Sequence, residues 1–421
     1  MAALDFCSSL YLGWQHPGHS LGDWASLSLG QPAALRAVPG SEQLAQQLAR
    51  LQGCASATVC SSTLHLFWDL FQTLPGEDMM IFLDQASYPV IGWGVERAAS
   101  QGIPVRRFDA HALPQLAQML AQAHQAGWRP VIVTDGYAPS RGRAAPLAQY
   151  AALAAQYQGL LVLDDTQALG LFGAPLESPA DSQVGSQADS LADPQAGSWP
   201  ATQASAASGP WGRGGGGSLQ AQQVFGPHIL VGASLAKAFG APLAVLAGAS
   251  KLIQRFEAHS QTRMHASPPA VPVLRAAQQA LRYNAEQGDQ RRRHLWRLLQ
   301  HWWQGLAALG IRSHGGQFPV QTLASGRTTP TDWADLHRYL AQRGTKAVLQ
   351  AVPSGRGTRP GWQLSFILSA NHSLAQITLV LQQIANWLHM QDEQDVQRVQ
   401  GDQPTSRPAK PNHHLLSLEA I

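Results

Sequence analysis

The fold of this chain is decided by two stretches, Gly159-Leu160-Leu161-Val162-Leu163-Asp164-Asp165 and Leu230-Val231-Gly232-Ala233-Ser234-Leu235-Ala236-Lys237. Each contains a short apolar run, which is typical of a strand that is buried on both faces of a parallel sheet. Ionisable side chains follow each run, Asp164 and Asp165 in the first and Lys237 in the second. Because ligands of parallel sheets bind beyond the carboxyl ends of the strands, these side chains are the first candidates for a functional site.

Helix and strand patterns alternate from residue 41 onward. Ser41 is predicted to cap an amphipathic helix, and strands are then predicted over residues 57–60, 79–83, 105–108, 130–134 and 160–163, with helices between them. Asp84, Asp135 and Asp164 each stand just after one of these strands. The alternation predicts an α/β fold in which a mostly parallel sheet is sandwiched by helices.

Composition and pattern divide the chain into lobes. We expect an N-terminal arm over residues 1–42, a large domain over 43–255, a smaller α+β C-terminal domain over 256–390 and a mobile polar tail over 391–421. Residues from about 175 to 222 are rich in Ser, Ala, Gln, Gly and Pro, and they are predicted to form a disordered insertion in the large domain.

The overall composition argues against several classes of function. The 421 residues are 45% hydrophobic and 13% charged, and a formal net charge of +3 is too small to indicate nucleic-acid binding. The run Gln290-Arg291-Arg292-Arg293 is predicted to be a solvated helix face. Three cysteines do not make a disulfide framework, and neither a signal peptide nor a membrane-length apolar run is found. We therefore expect a cytoplasmic enzyme with no membrane span and no nucleic-acid partner.

Lys237 and Asp164 are the residues on which the predicted chemistry depends. Lysine is scarce in this chain, where it occurs only at Lys237, Lys251, Lys346 and Lys410. A strand-end carboxylate and a lysine after a second strand are what pyridoxal 5'-phosphate chemistry needs. The lysine forms a Schiff base with the cofactor aldehyde, and the carboxylate keeps the pyridine nitrogen protonated. Asp165 competes with Asp164 for the second role, and both carboxylates could instead simply cap a turn.

Three hydroxyls and one aromatic ring are further candidates for binding the cofactor. Ser62 and Thr63 lie between a predicted strand and helix, where hydroxyls and backbone N–H groups can hold a phosphate. A plain helix N-cap is the alternative for Ser62 and Thr63. Ser234 could add another phosphate hydroxyl, and Tyr88 could stack on the cofactor ring or simply pack under its loop. The histidines and cysteines show no spacing that predicts a metal site.

Several further segments follow one another along the chain in an order and at a spacing that are typical of one enzyme family. The segments are Tyr11-Leu12-Gly13, Gly40-Ser41, Thr134-Asp135-Gly136 with Ala145-Pro146-Leu147, Leu163-Asp164-Asp165-Thr166-Gln167-Ala168-Leu169-Gly170, and Ser234-Leu235-Ala236-Lys237-Ala238-Phe239-Gly240. They resemble the N-Y-L-G, glycine-serine, T-D-G…A-P-L, V-D-E-A-H-S-x-G and T-F-S-K-A-L-G segments of the α-oxoamine synthases, which are fold-type-I pyridoxal phosphate enzymes. The resemblance runs from about Leu4 to Leu388, without the insertion.

The resemblance implies a pyridoxal phosphate-dependent acyltransferase. Its substrates would be an acyl thioester, carried by coenzyme A or a carrier protein, and an amino acid, and the condensation would be decarboxylative. The resemblance also implies a homodimer with active sites built from both subunits. The stacking group of the family falls at Gln85, and the group that hydrogen-bonds the cofactor's 3-oxygen falls at Gln167.

Several positions depart from the family pattern. Histidines of the family are replaced by Gln85 and Gln167, and a serine is replaced by Pro139. An acidic segment of the family reads Arg141-Gly142-Arg143, and the arginine that binds the substrate carboxylate is replaced by Gln363 or Ser365. Arg356 or Arg359 could take over that last role. These departures leave two alternatives open, a pyridoxal phosphate aminotransferase and a catalytically retired homologue that acts as a binding protein.

Overall fold

Strands and helices alternate through most of the structure, a computed structural model that describes residues 3–22, 27–74, 76, 78–176, 209–324, 330–352 and 361–401. The strands are β1 (Leu4–Asp5), β2 (Ser56–Cys60), β3 (Met79–Asp84), β4 (Val105–Phe108), β5 (Arg129–Asp135), β6 (Tyr137–Ala138), β7 (Arg143–Ala144), β8 (Leu160–Asp164), β9 (Ile229–Ser234), β10 (Ala244–Gly248), β11 (Arg312–His314), β12 (Val320–Ala324), β13 (Thr345–Lys346), β14 (Val348–Val352) and β15 (Gly361–Ile367). The helices are α1 (Ser41–Gln52), α2 (Thr63–Thr73), α3 (Pro89–Ser100), α4 (Leu113–Gln125), α5 (Leu147–Gln156), α6 (Ser218–Gln222), α7 (Ser250–His259), α8 (Gln261–His265), α9 (Val271–Ala308), α10 (Pro330–Gln342) and α11 (Leu374–Gly401).

A seven-stranded sheet in the order β2-β10-β9-β8-β5-β3-β4 forms the centre of the large lobe. Strands β4, β3, β5, β8 and β9 run parallel, whereas β10 is antiparallel to both of its neighbours. The prediction of an α/β fold with a mostly parallel sheet is therefore confirmed. All the parallel strands direct their carboxyl ends to one edge, where Asp84, Asp135 and Asp164 end β3, β5 and β8.

Both faces of this sheet are buried, because successive side chains of a strand point to opposite faces. Ile81 and Val131 pack in one core with apolar residues of α2, α3 and α7. Phe82 and Ile132, their neighbours in sequence, pack in a second core with residues of α4 and α5. The continuous apolar runs noticed in the sequence follow from this double burial.

The smaller lobe contains an antiparallel sheet in the order β11-β12-β15-β14, against which the helices α9 and α10 pack, and α11 packs against both helices. Trp302 of α9 is fully buried, with its ring centroid 4.8 Å from that of Phe366 in β15. The arm joins this lobe, since β1 pairs in parallel with β13 and the N–H of Ile367 donates to the carbonyl of Phe6. The arm also supplies Tyr11 to the buried core.

Two predicted boundaries differ from the structure. The last part of the predicted insertion is ordered, because Trp211 is buried and residues 218–222 form α6. Residues 177–208 lie outside the described part of the chain. The closing helix α11 continues to Gly401, past the predicted end of the small domain near residue 390.

The run of three arginines on α9 is not a uniformly solvated face. Arg292 is only 2% exposed, and its guanidinium donates to the carbonyl of Gly170 and to the side chains of Asn284 and Asp289, at 2.6 to 2.8 Å. Arg293 beside it is exposed. The prediction of a solvated helix face was therefore wrong for Arg292, the middle one of the three arginines.

Within the described residues, none of the helices combines the length and the apolar character that a bilayer crossing requires.

Candidate active site

Three carboxylates lie side by side where the parallel strands end. Asp84, Asp135 and Asp164 are each less than 8% exposed. Asp135 and Asp164 pair in register across β5 and β8, and the hydroxyl of Thr134 donates to Asp84 at 2.9 Å. Burial raises the pKa of both Asp135 and Asp164, and the neighbouring Asp164 raises that of Asp135 further. Such a pair of buried acids favours a cation between or beside them.

Lys237 supplies that cation. It follows β9, the neighbour of β8, by three residues, and the register sets Gly232 of β9 opposite Asp164. Burial lowers the pKa of the Lys237 amine, while Asp164 and Asp135 act in the opposite direction. The structure thus brings the predicted lysine and the predicted carboxylate into one pocket, and it adds Asp135, which sequence reasoning noted only as a strand-end residue.

Asp164 and Asp165 face different surroundings, although they are adjacent. Asp165 is 1% exposed and accepts a hydrogen bond from the N–H of Ser218 at 2.9 Å. A Cβ atom at Gly136 would lie 2.1 Å from Oδ1 of Asp165, and one at Gly217 would lie 2.0 Å from Oδ2. Asp165 is therefore enclosed by glycine backbone, and Asp164 is the carboxylate that interacts with the Lys237 amine.

Thr166 connects this carboxylate to the strand that leads to the lysine. Its N–H donates to Oδ1 of Asp164 at 3.0 Å, and its hydroxyl accepts from the N–H of Ser234 at 3.0 Å. Hydrogen bonds from Thr166 also hold down the pKa of Asp164, which burial raises. Sequence reasoning missed Thr166, because a threonine in a turn after a strand has no distinctive local signal.

The aromatic ring beside the lysine is that of Tyr88. The Nζ atom of Lys237 lies 5.5 Å from the centroid of the Tyr88 ring. The N–H of Tyr88 donates to both carboxylate oxygens of Asp135, and the N–H of Ala86 donates to Asp84 at 2.9 Å. Gln85 and Tyr88 are both exposed, but the N–H of Gln85 donates to the carbonyl of Phe108 on the edge strand. The loop thus directs Tyr88 rather than Gln85 toward the amine, which argues against the stacking role that the resemblance implied for Gln85.

Gln167 is held by a residue of the arm. The hydroxyl of Tyr11 donates to Oε1 of Gln167 at 2.7 Å, and Tyr11 is 1% exposed. Burial raises the pKa of the Tyr11 phenol well above its usual range, and the nearby Tyr88 phenol adds to the shift. Tyr11 was part of the resemblance but not of the predicted site, because 156 residues separate it from its partner.

The predicted phosphate hydroxyls make local hydrogen bonds. Ser62 is the N-cap of α2 and accepts from the N–H of His65, which leaves the backbone N–H groups of Thr63 and Leu64 in the first turn for an anion. The hydroxyl of Ser234 accepts from the N–H of Ala236 at 3.2 Å. Among the described residues, the buried hydroxyl of Ser87, next to Tyr88, has no hydrogen-bond partner, as expected for a group that meets a ligand.

The position at which the resemblance expects an arginine is occupied by a pair of hydroxyls. Ser365 is buried, and its hydroxyl lies 2.7 Å from that of Thr322 on the neighbouring strand. Arg356 and Arg359 lie outside the described residues. Arg141, in the segment where the resemblance expects acidic residues, pairs at 2.8 Å with Asp109.

This pocket has the parts that an aldehyde cofactor with an aromatic nitrogen and a phosphate requires. The buried amine of Lys237 can attack an aldehyde, Asp164 can pair with a protonated ring nitrogen, and the first turn of α2 can bind an anion. The ring of Tyr88 stands beside the amine. The donor set therefore fits pyridoxal phosphate.

Comparison with known proteins identifies the family to which this chain belongs. Residues 35–384 match the family model described as aminotransferase class I and II. An 8-amino-7-oxononanoate synthase of Thioalkalivibrio sulfidiphilus is 26% identical over 384 residues, which cover 90% of this chain and 86% of that protein. One from Marinobacter nauticus is 27% identical over 399 residues, which cover 91% and 86%.

Solved structures share the fold. The 8-amino-7-oxononanoate synthase of Francisella tularensis superposes with a TM-score of 0.67 and 17% identity, covering 92% of this chain and 98% of that one. The serine palmitoyltransferase of Sphingomonas wittichii superposes with a TM-score of 0.70 and 16% identity, covering 90% and 86%.

Proposed function

Because the chain belongs to the aminotransferase class I and II family, we propose that it is a pyridoxal 5'-phosphate-dependent acyltransferase of the α-oxoamine synthase type. It joins an acyl thioester to an amino acid with loss of carbon dioxide, in the manner of an 8-amino-7-oxononanoate synthase. The observation that carries the proposal is the pocket in which the amine of Lys237 interacts with the buried carboxylate of Asp164. The sequence relatives named above support the acyl-transfer reaction over an aminotransferase reaction.

When bound, the cofactor supplies an electron sink for the electron pair that is left when a bond at the substrate α-carbon breaks. Asp164 would hold a proton on the ring nitrogen, and its burial would strengthen this charge pair by excluding water. Lys237 Nζ would hold the cofactor through its aldehyde, and the same amine is the base that would carry the proton of the substrate α-carbon. Burial lowers the pKa of this amine, which suits the role because a larger fraction of it is unprotonated and able to accept a proton.

Other residues orient the cofactor. Tyr88 would lie against the cofactor beside Lys237, Gln167 would donate a hydrogen bond to its 3-oxygen, and the first turn of α2 with Ser62 and Thr63 would hold its phosphate. Ser234 shapes the turn that leads to Lys237 by accepting from the N–H of Ala236. We assign no cofactor contact to Gln85, because its backbone is bound to Phe108 of the edge strand, whereas the Tyr88 ring lies beside the Lys237 amine.

The acyl donor is coenzyme A or an acyl carrier protein, and the working form is a homodimer. An apolar surface on α2 and α3 supports the dimer, because Leu64, Trp68 and Trp93 are each more than 40% exposed. The three cysteines are unpaired, which suits a reducing compartment and supports the cytoplasm as its location.

The test of the cofactor is the visible absorption spectrum of the purified protein after addition of pyridoxal phosphate. We expect an absorption band that borohydride abolishes, that Lys237→Ala lacks and that Lys251→Ala retains, since Lys251 is an exposed lysine on α7. A wild-type protein without this band would contradict the proposal and favour a retired homologue.

The test of the reaction is product analysis. Acyl thioesters offered with amino acids should release free thiol and carbon dioxide in equal amounts. Conversion of amino donors and keto acids without release of thiol would instead identify an aminotransferase.

A further inference from the structure

We propose that Tyr11 is a positioning residue that orients the amide of Gln167, so that its N–H groups and not its oxygen face the cofactor. The proposal rests on the proposed function, because it concerns the 3-oxygen of the bound cofactor. Through Tyr11, the N-terminal arm has a role in the active site. The orientation that Tyr11 imposes also explains how the uncharged side chain of Gln167 can bind the 3-oxygen of the cofactor.

The contact itself is well defined. The Tyr11 hydroxyl donates to Oε1 of Gln167 at 2.7 Å. The Tyr11 ring is fixed by packing, since its centroid lies 5.3 Å from that of Phe318 in an edge-to-face arrangement. Its backbone carbonyl accepts from the N–H of Ala370 at 2.8 Å. A side chain that is held at both its backbone and its ring directs its hydroxyl with little freedom.

The direction of the hydrogen bond determines what Gln167 can offer to a ligand. A glutamine amide has an acceptor oxygen and a donor nitrogen at opposite sides of one group. Because Tyr11 engages Oε1, the side that remains for a ligand is Nε2, which carries two donors. A glutamine that rotated freely would instead present its oxygen to an anionic ligand atom in a share of the molecules, and that contact would be repulsive.

The environment keeps Tyr11 in the donor state. Burial raises the pKa of its phenol above the usual range, so the hydroxyl stays protonated over the working pH range of a cytoplasmic enzyme. The Tyr11–Gln167 pair is therefore neutral at every such pH. A histidine at position 167 could change charge between pH 5 and 8, whereas this pair offers the same hydrogen bond throughout.

The pH titration of the visible band of the bound cofactor tests the proposal without an activity assay. The band reports a proton shared between the lysine-linked nitrogen and the ring's 3-oxygen, and a donor to that oxygen favours loss of the proton. Tyr11→Phe removes one hydroxyl and keeps the packed ring, so we expect the midpoint to rise by roughly one pH unit, as loss of one hydrogen bond to a charged group would give.

Tyr137→Phe is the matched control. Its phenol is buried in the same aromatic cluster, with its ring centroid 4.7 Å from that of Phe318, and donates to the carbonyl of Gly315 at 3.1 Å. We expect the midpoint of Tyr137→Phe to stay within a few tenths of a unit of the wild-type value. An equal rise in both variants would overturn the proposal, because it would show a general effect of loosening the cluster.

A double-mutant cycle establishes whether Tyr11 acts through Gln167. In a Gln167→Ala background, Tyr11→Phe should shift the midpoint no further. An unchanged midpoint in the single Tyr11→Phe variant, or the same shift in both backgrounds, would overturn the proposal while leaving the proposed function intact. Absence of the band from the wild-type protein would overturn both.

A variant that leaves Tyr11 in place provides an independent test. Gln167→Glu retains the acceptor for Tyr11 but replaces the donor by an anion. We expect its midpoint to lie above that of Gln167→Ala. A midpoint equal to that of wild type would show that the amide nitrogen does not face the cofactor, which contradicts the proposed orientation.

Discussion

The backbone N–H of Tyr88 donates to both carboxylate oxygens of Asp135, at 3.1 and 3.0 Å. This bond ties the loop after β3 to the end of β5, and the same loop holds the Tyr88 ring 5.5 Å from the Lys237 amine. Asp135 therefore both orients the aromatic cover of the pocket and adds negative charge beside the lysine.

Asp135→Ala should weaken cofactor binding, because it leaves the Tyr88 N–H without its acceptor and frees the loop. Loss of a hydrogen bond to a charged group is worth about 1.5–3 kcal/mol, so the Kd for pyridoxal phosphate should rise roughly ten- to hundredfold. Absorbance titration with the cofactor measures it. Asp109→Ala removes an exposed carboxylate from the same edge of the sheet and serves as the control. Equal Kd values for Asp135→Ala and wild type would contradict the assigned role.

Asp164→Asn and Asp165→Asn should differ in cofactor binding. Of these two carboxylates, Asp164 interacts with the Lys237 amine, whereas Asp165 accepts from the N–H of Ser218. We expect the Kd for the cofactor to rise on the order of tenfold or more in Asp164→Asn, which loses a charge-assisted hydrogen bond, and to change less than about threefold in Asp165→Asn. The reverse order of effects would show that Asp165 is the partner of the ring nitrogen.

Asp165 should make stability depend on pH. Burial raises the pKa of its carboxyl to about 7, and the nearby Asp164 adds to the rise. Since the folded-state pKa lies above the unfolded value, the folded protein is most favoured when the group is protonated in both states. This favourable contribution is present in full below about pH 4 and is lost as the pH rises to about 7.

Asp165→Asn should remove the loss of stability that the ionisation of Asp165 causes as the pH rises. Its amide oxygen can still accept from Ser218, and no buried charge forms at higher pH. The free energy of unfolding at pH 8 should rise relative to wild type by roughly 1–3 kcal/mol, with a smaller difference at pH 4. Urea unfolding at the two pH values measures this. A variant less stable than wild type at pH 8 would show that the ionised carboxylate is well accommodated.

Arg292 should be the one arginine of its run whose removal destabilises the fold. It is almost fully buried and donates to Gly170, Asn284 and Asp289. Arg292→Ala leaves the buried oxygen acceptors of Gly170 and Asn284 unpaired, which costs about 1–3 kcal/mol for each. Arg293→Ala, at an exposed neighbouring position, should change the free energy of unfolding by about 0.5 kcal/mol or less. Similar urea midpoints for the two variants would contradict this difference.

The sequence predicted the strands of the large sheet and the residues at their ends, because parallel strands that are buried on both faces have a strong apolar signal. It could not choose between Asp164 and Asp165, since alternation carries no information in such a strand. The choice depends on the glycine backbone that encloses Asp165, around Gly136 and Gly217, and that backbone comes from distant parts of the chain.

Two errors have physical causes that the sequence does contain. Arg292 shares its helix face with Leu295, Leu299 and Trp302, all buried, at the spacing of 3 and 4 residues that marks a core stripe. The glycine-rich stretch that ends the predicted insertion looked disordered by composition. Its glycines instead allow close packing, since a Cβ at Gly215 would lie 2.6 Å from the Arg292 guanidinium.

The pairing of the arm with the small lobe has a consequence for the order of folding. Strand β1 pairs Asp5 with Lys346, so this contact spans most of the described sequence, and loop closure over such a distance is slow. On the ribosome, Tyr11 emerges long before β13 and β15 exist to hold the arm. A nascent chain can therefore complete the large sheet, with Asp164 and Lys237 already in place, while Gln167 still lacks its partner. The contact that orients Gln167 therefore depends on the docking of a segment that was synthesised hundreds of residues before its partners in the small lobe.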